Sequence, residues 1–338
     1  MPKAELHLHL DGALRVDTAL ELARTRGVDA PRSYAGMFAA LVAPESTESQ
    51  AALLDAFTLP VSLMQDAEAL ERVTVELVEA KAADHVRYCE IRWAPMLHTE
   101  RGLPLRDGIQ AVCRGARHGR ARTGTEVRLI CVAVRSHDPA ANVRLAEAAA
   151  GFLDEGVVAF DLAGLENEFP DPLAHRAAFD AARAGGLRIT LHAGELHDAG
   201  AGVRRALAVS PERIAHGVGA IEDAGLCAEL RSRGITLDLC PTSNVQAASV
   251  ATLAEHPVAR LYRLGVPVTI STDDPTISDV TLTAEYLRAL RHTGLTVPEL
   301  WRINRHALAA AFLRQPLGHD LAAEFDHWAD LIPELDAD

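Results

Sequence analysis

Short apolar runs rich in Val, Ile and Leu recur along the chain and alternate with longer, Ala-rich stretches carrying Leu and charged residues at helical spacing. Runs of this length with β-branched enrichment read as buried strands, and the stretches between them read as helices. Strands buried on both faces and separated by helices are the pattern of βα units around a parallel sheet. Eight runs can be counted: Ala4–Leu10, Val86–Trp93, Val127–Val134, Val157–Leu162, Leu187–Leu191, Arg213–His216, Ile235–Cys240 and Val266–Ser271. Eight strands with intervening helices close into a ring, so the pattern predicts an α/β fold, a (β/α)8 TIM barrel.

Asp66–Ala82, Ala140–Leu153 and Asp171–Ala184 are each long enough for a helix between strands. The stretch from Asp11 to Val86 is longer than one crossover needs. It predicts extra helices near Val16–Arg26 and Ala51–Met64, an insertion over about residues 12–85 that caps a site after the first strand. From Leu282 onward the pattern is helical again, with Pro298 in the first turn after Thr296. Neither a solenoid-period repeat nor a low-complexity linker interrupts the chain, so residues 1–338 read as one barrel domain with insertions.

Composition narrows the class. Of the 338 residues, 49% are hydrophobic and 24% charged, enough for a sizeable core. A formal charge of -14, from 33 basic against 47 acidic residues, argues against nucleic acid and anionic membrane surfaces, which reward clustered Lys and Arg. A neutral small molecule is the easier ligand. No run of 18 apolar residues is present, and MPKAELHLHLDG lacks the basic and apolar regions of a secretory signal, so a cytoplasmic location is expected. Cys89, Cys113, Cys131, Cys227 and Cys240 show no C-x-x-C spacing and read as buried free thiols.

Candidate chemistry begins with His7-Leu8-His9 at the end of the first strand, where a period of two puts both imidazoles on one face. Alone, such a pair is more often two polar residues on a half-exposed strand. The fifth strand, however, ends in Thr190-Leu191-His192-Ala193-Gly194-Glu195, the sixth in His216-Gly217 and the eighth in Ser271-Thr272-Asp273-Asp274-Pro275. Metal-competent residues thus stand at the C-terminal ends of four strands, the rim on which barrel enzymes build their active sites. Three imidazoles and a carboxylate suit zinc and leave a position for water, which assigns His7, His9, His192 and Asp273 as ligands. A nearby carboxyl and imidazole remain for proton traffic.

These residues give the chain a specific resemblance to the adenosine deaminase family of the metal-dependent amidohydrolases. Matching segments run in the family's order from Pro2–Arg15 through Tyr88–His98, Phe160–Glu166, Thr190–Glu195, Arg213–Gly217 and Cys240–Asn244 to Ser271–Pro275. The resemblance implies one zinc per chain on His7 and His9 of HLHLDG, His192 of LHAGE and Asp273 of TDDP. It implies that Glu195 protonates purine N1 while metal-bound hydroxide attacks C6, and that His216 of RIAHG orients that hydroxide and takes its proton. Asp274 would hydrogen-bond at N7, the Gly164 amide of DLAGLE would approach N3, and Asp11 would contact the ribose. For Asp11 a turn or helix-cap role beside Gly12 competes with that reading. Glu195 must carry a proton near neutral pH, which a dry pocket can arrange.

His98, His197 and His306 could approach the site, but read rather as surface or packing residues. The thiolate deaminases with P-C-x-x-C are excluded, because Cys240-Pro241 has no second cysteine. A binuclear site is not expected either, since its bridging lysine would end strand four, where this chain has Phe160-Asp161-Leu162-Ala163-Gly164; Lys3 and Lys81 are the only lysines. The implied activity is hydrolytic deamination of adenosine and 2′-deoxyadenosine. Sister activities on free adenine or aminodeoxyfutalosine remain open, as does a catalytically silent purine-binding barrel. DLAGLE and HLDGAL lie closer to the adenosine deaminases.

Overall fold

The computed structural model describes residues 1–195, 199–313 and 315–336. Eight parallel strands follow one another in chain order: β1 (Lys3–His9), β2 (Val86–Trp93), β3 (Glu126–Val134), β4 (Val157–Ala163), β5 (Arg188–Ala193), β6 (Arg213–His216), β7 (Thr236–Leu239) and β8 (Val268–Ile270). Each lies within about two residues of its predicted run, because a strand buried on both faces shows as a continuous apolar stretch. The ring closes between β8 and β1 at a single bridge, Leu8 to Asp273, where His9 N–H donates to Asp273 O (2.7 Å) and Asp273 N–H to His7 O (3.1 Å).

Alternation along β2 shows how the two layers are built. Cys89, Ile91 and Trp93 pack outward into the main apolar core beneath the helices, while Tyr88, Glu90 and Arg92 have the opposite parity. The barrel interior is charged: Glu90, Arg92, Asp161, Arg213 and Asp238 are all at most 1% exposed. Arg213 pairs with Glu90 and with Asp238 (3.0 Å), and Arg92 donates to Leu6 O (2.9 Å). Buried charges persist only when paired in this way.

Outside the barrel, helices 67–83 and 105–123 pack closely because Gly115 and Gly119 carry no side chain. A Cβ on Gly115 would stand 2.6 Å from Glu71 O, and one on Gly119 2.6 Å from Val78 Cβ. Between β1 and β2 lie helices Val16–Arg26, as predicted, and Tyr34–Leu41, which was not predicted, followed by short helical turns covering 50–63. The second helix escaped notice because YAGMFAAL buries only Met37 and Leu41 and contains Gly36. At the far end of the chain, helices 282–292, 297–310 and 317–329 carry the fold to its end, the second opened by a Thr296–Glu299 capping box with Pro298 in its first turn. Trp301 and Phe325 stack there, at 5.9 Å, against a small apolar cluster under Ala4 and Leu6. All five cysteines are buried and unbridged, and no helix among the described residues is long and apolar enough to cross a membrane.

Candidate active site

The C-terminal ends of the strands surround a cavity of about 240 Å³. His9, His192, Glu195, His216, Asp273, Asp274, Asp11 and Gly164 line it, as do Gln50, Leu53, Leu54 and Phe57 from the segment inserted after β1. The sequence-derived residues therefore converge, although they come from five strand ends. His7 sits just beneath, fully buried.

Four ligand-type atoms meet at the floor. His7 Nε2 stands 3.3 Å from His9 Nε2, His9 Nε2 3.1 Å from His192 Nε2, and Asp273 Oδ1 lies 2.9 Å from His7 Nε2 and 3.4 Å from His9 Nε2. Ligands about 2.0–2.1 Å from a tetrahedral divalent ion would be ~3.3 Å apart, so the donor set fits such an ion in both chemistry and spacing. Two of the imidazoles, His7 and His9, are held in the neutral form that coordination needs: burial pushes His9 down to about 3 and, helped by the Arg92 guanidinium, holds His7 well below its ordinary value. Against burial, which would raise it, the close contact with His7 holds Asp273 well below the carboxylate range. Metal chemistry supplied here would be that of a polarised water.

Partners behind these groups fix their orientation. Asp161 Oδ2 approaches His192 Nδ1 to 2.6 Å while its other oxygen accepts from Thr190 Oγ1 (2.9 Å). Burial would raise this carboxyl, but His192 and Arg92 hold it low, so it stays ionised. Such carboxylate–histidine pairs present the second ring nitrogen to a metal. Ser243 Oγ donates to Asp273 Oδ2 (2.7 Å). His216 and Asp273 both adopt left-handed backbone conformations (φ 64° and 62°), an uncommon state for residues with side chains, which concentrates strain where the strands end.

Around this floor stand the groups suited to proton traffic. Glu195 Oε1 is 3.6 Å from His216 Nε2, and its Oε2 accepts from Gln50 Nε2 (2.7 Å). The turn bearing Glu195 is held by Glu166, whose carboxylate accepts from Gly194 N–H (2.9 Å). Asp274 is buried beside three other acids. Burial first, and then Asp273, Asp11 and Glu195, push its carboxyl well up, which favours its protonated form. Its Oδ1 has no hydrogen-bond partner and packs on Gly12, where a Cβ would fall 2.1 Å away. Gly164 takes φ 112°, open to glycine and strained for other residues.

The geometry gives Asp11 and His98 each other as partners. Asp11 caps no helix: Oδ2 accepts from Ala94 N–H (3.0 Å) and Oδ1 faces His98 Nε2 at 2.6 Å. His98, expected at the surface or in packing, is 1% exposed, and its Nδ1 donates to Met64 O (2.8 Å), so it anchors Asp11. His306 packs against Thr236 Oγ1 (3.0 Å), away from the cavity, as expected; His197 lies outside the described residues. Sequence reasoning missed Asp161, Glu166, Ser243, Asn244 and His256. The signal that marks two of them is a carboxylate at an inward strand position, Asp161, and one closing DLAGLE, Glu166.

The family model described as adenosine deaminase matches residues 2–328, and an adenosine deaminase of Clostridium perfringens is 36% identical over 324 residues, covering 95% of this chain and 97% of that protein. The chain belongs to the adenosine deaminase family. It is therefore a hydrolytic deaminase of the metal-dependent amidohydrolase type. Among solved structures, adenine deaminase from Arthrobacter aurescens superposes with a TM-score of 0.90 at 25% identity, over 97% of this chain and 99% of that one. An amidohydrolase from Burkholderia ambifaria with bound zinc gives 0.88 at 28% identity, over 100% of this chain and 93% of its own. The relatives just named differ, one an adenosine deaminase and one an adenine deaminase, so substrate choice rests on the cavity itself.

Proposed function

We propose that the chain deaminates adenosine and 2′-deoxyadenosine at purine C6, giving the inosine product and ammonia, with one zinc ion per chain. The observation that carries this reading is the composition of the cavity. The His7, His9, His192 and Asp273 cluster, Glu195, Asp274 and Gly164 share one small space, and no Lys or Arg lines it among the described residues. A nucleotide's phosphate would meet acids and apolar side chains there, a juxtaposition costing several kcal/mol.

Zinc on the four ligands would lower the pKa of a water to near neutrality and so supply the nucleophile. Glu195 donates a proton to N1, making C6 electrophilic as attack proceeds. Asp274, holding its own proton, donates to N7, which is an acceptor only and would repel an ionised carboxylate. The glycine at 164 lets backbone approach the ring edge at N3. His216 orients the attacking water from Nε2, on the side shared with Glu195 and Asp273. Leu53, Leu54 and Phe57 exclude bulk water from above.

One observation favours a second reading, free adenine. Both Asp11 oxygens already have partners in Ala94 and His98, which leaves each with a single lone pair for a sugar hydroxyl. Comparing kcat/KM for adenosine, 2′-deoxyadenosine, adenine, AMP and aminodeoxyfutalosine separates these activities. Adenosine and its deoxy form should lead, with AMP at least about a hundredfold behind. A lead for adenine would transfer the proposal to the free base, and a lead for aminodeoxyfutalosine would keep the chemistry and replace the substrate.

A further inference from the structure

The short helix Pro241–Gln246 after β7 and the turn before helix Val258–Arg263 bring three polar side chains into one buried file behind the reaction centre: His256, Asn244 and His216 are 3%, 0% and 2% exposed. His256 Nε2 is 3.2 Å from Asn244 Oδ1, and Asn244 Nδ2 is 3.1 Å from His216 Nδ1. Side-chain amides and imidazoles can run such a file in either direction. Here the backbone decides it.

Val258 N–H, unpaired by any helical carbonyl at the first turn, donates to His256 Nδ1 (3.3 Å). A backbone amide only donates, so His256 Nδ1 is bare and its proton sits on Nε2, pointing at Asn244. Independently, Cys240 N–H donates to Asn244 Oδ1 (3.3 Å). Both contacts make Oδ1 the accepting end of Asn244 and turn its NH2 toward His216. Burial pushes the His256 imidazole down to about 3, which keeps it neutral and its Nδ1 able to accept.

We propose that Asn244 and His256 are positioning residues that fix the neutral tautomer of His216 with its proton on Nε2, so that His216 meets the reacting water as a hydrogen-bond donor. With Nδ1 occupied by the Asn244 amide, a bare Nε2 would set two donors against each other on the far side of the ring. The proton lost by water then goes to Glu195, whose Oε1 lies 3.6 Å from Nε2 and whose carboxylate can accept once it has given its own proton to N1. His216 orients the water and holds its oxygen as negative charge develops, a contribution of the oxyanion-stabilising kind. This replaces the proton-accepting role that family resemblance implied for it. The inference deepens the site proposed above and rests on His216 facing that water.

The test is long-range proton–nitrogen correlation NMR on the full-length protein carrying nitrogen-15 histidine, with and without zinc. His216 is assigned by the loss of its signals in His216→Gln, or through contacts to the Asn244 amide protons should that variant fail to fold. The expected spectrum shows His216 protonated on Nε2 and bare on Nδ1, and His256 likewise. A proton on His216 Nδ1 overturns the proposal whatever the substrate is, whereas the expected tautomer in a protein inactive on adenosine would leave it standing and remove only the substrate assignment. Asn244→Asp keeps an acceptor for His256 and Cys240 but presents no donor to His216. It should move the His216 proton to Nδ1 and lower kcat by about 10- to 100-fold, the usual cost of losing an outer partner, with little change in KM. His256→Gln, which still offers a donor to Asn244, should keep most of the activity that His256→Leu loses. An Asn244→Asp protein with unaltered tautomer and kcat would refute the relay.

Discussion

Gly12→Ala adds one methyl group outside the cavity, yet it should damage the proposed purine site. The new Cβ would fall 2.1 Å from Asp274 Oδ1, 2.6 Å from its Cβ and 2.7 Å from its Cγ. The two loops cannot simply part, because Thr276 N–H and Ile277 N–H both donate to Gly12 O, at 2.9 and 3.3 Å. Asp274 must therefore move by roughly 1 Å, a displacement that can cost on the order of a hundredfold in rate. If its proton is directed at N7, the lost hydrogen bond accounts for about 1 to 3 kcal/mol, or roughly 5- to 150-fold in kcat/KM. The assay pairs adenosine with 7-deazaadenosine, which has a C–H in place of N7. Wild type should prefer adenosine by that factor. Gly12→Ala should lose activity on adenosine and much less on the deaza analogue, closing the gap to within a few-fold. A variant that keeps the full wild-type preference, or a wild type with none, would refute the placement of Asp274 against N7.

Two further substitutions test the surroundings of the site. Asp161→Asn removes the charge facing His192 Nδ1 and should weaken metal affinity by about 10- to 100-fold in chelator competition; unchanged affinity would show that the 2.6 Å contact does not tune the ligand. Burial raises the Glu285 carboxyl from 4.5 to about 7, so the bound proton favours the fold fully below the unfolded value and that stabilisation is lost as pH rises through 7. Wild type should lose about 2 to 3 kcal/mol relative to Glu285→Gln between roughly pH 5 and 8, and thermal melts whose difference stays constant with pH would contradict this.

The strands were legible because two-sided burial writes them as apolar runs, and the rim was legible because histidines and acids ending such runs have no packing purpose. His7, His9, His192 and Asp273 all belong to short motifs beside a strand. The layer behind them was not legible. Asn244 and His256 are twelve residues apart, and only the fold of the loop between them gives their contact meaning. His98 looked ordinary because its partner, Asp11, is 87 residues away on another strand end. Glu90, Arg92, Arg213 and Asp238 sit inside apolar runs, where their charges read as interruptions until the ring supplies each with a counter-charge. Local pattern reports what a segment buries, whereas these residues depend on what closure brings near.

That closure has its own schedule. The junction between β1 and β8 carries two backbone hydrogen bonds, and elsewhere along it side chains stand in for the ladder: His7 N–H donates to Ser271 Oγ (3.2 Å) and Thr272 N–H to Glu5 Oε1 (2.9 Å). The same junction separates His7 and His9 from Asp273, more than 260 residues later in the chain. During synthesis the first two histidines leave the ribosome long before their carboxylate partner exists, so a growing chain displays an open half-cluster until β8 docks. Ring completion and assembly of the His7, His9, His192 and Asp273 cluster are thus one event, and a truncated or half-folded chain holds no complete version of it.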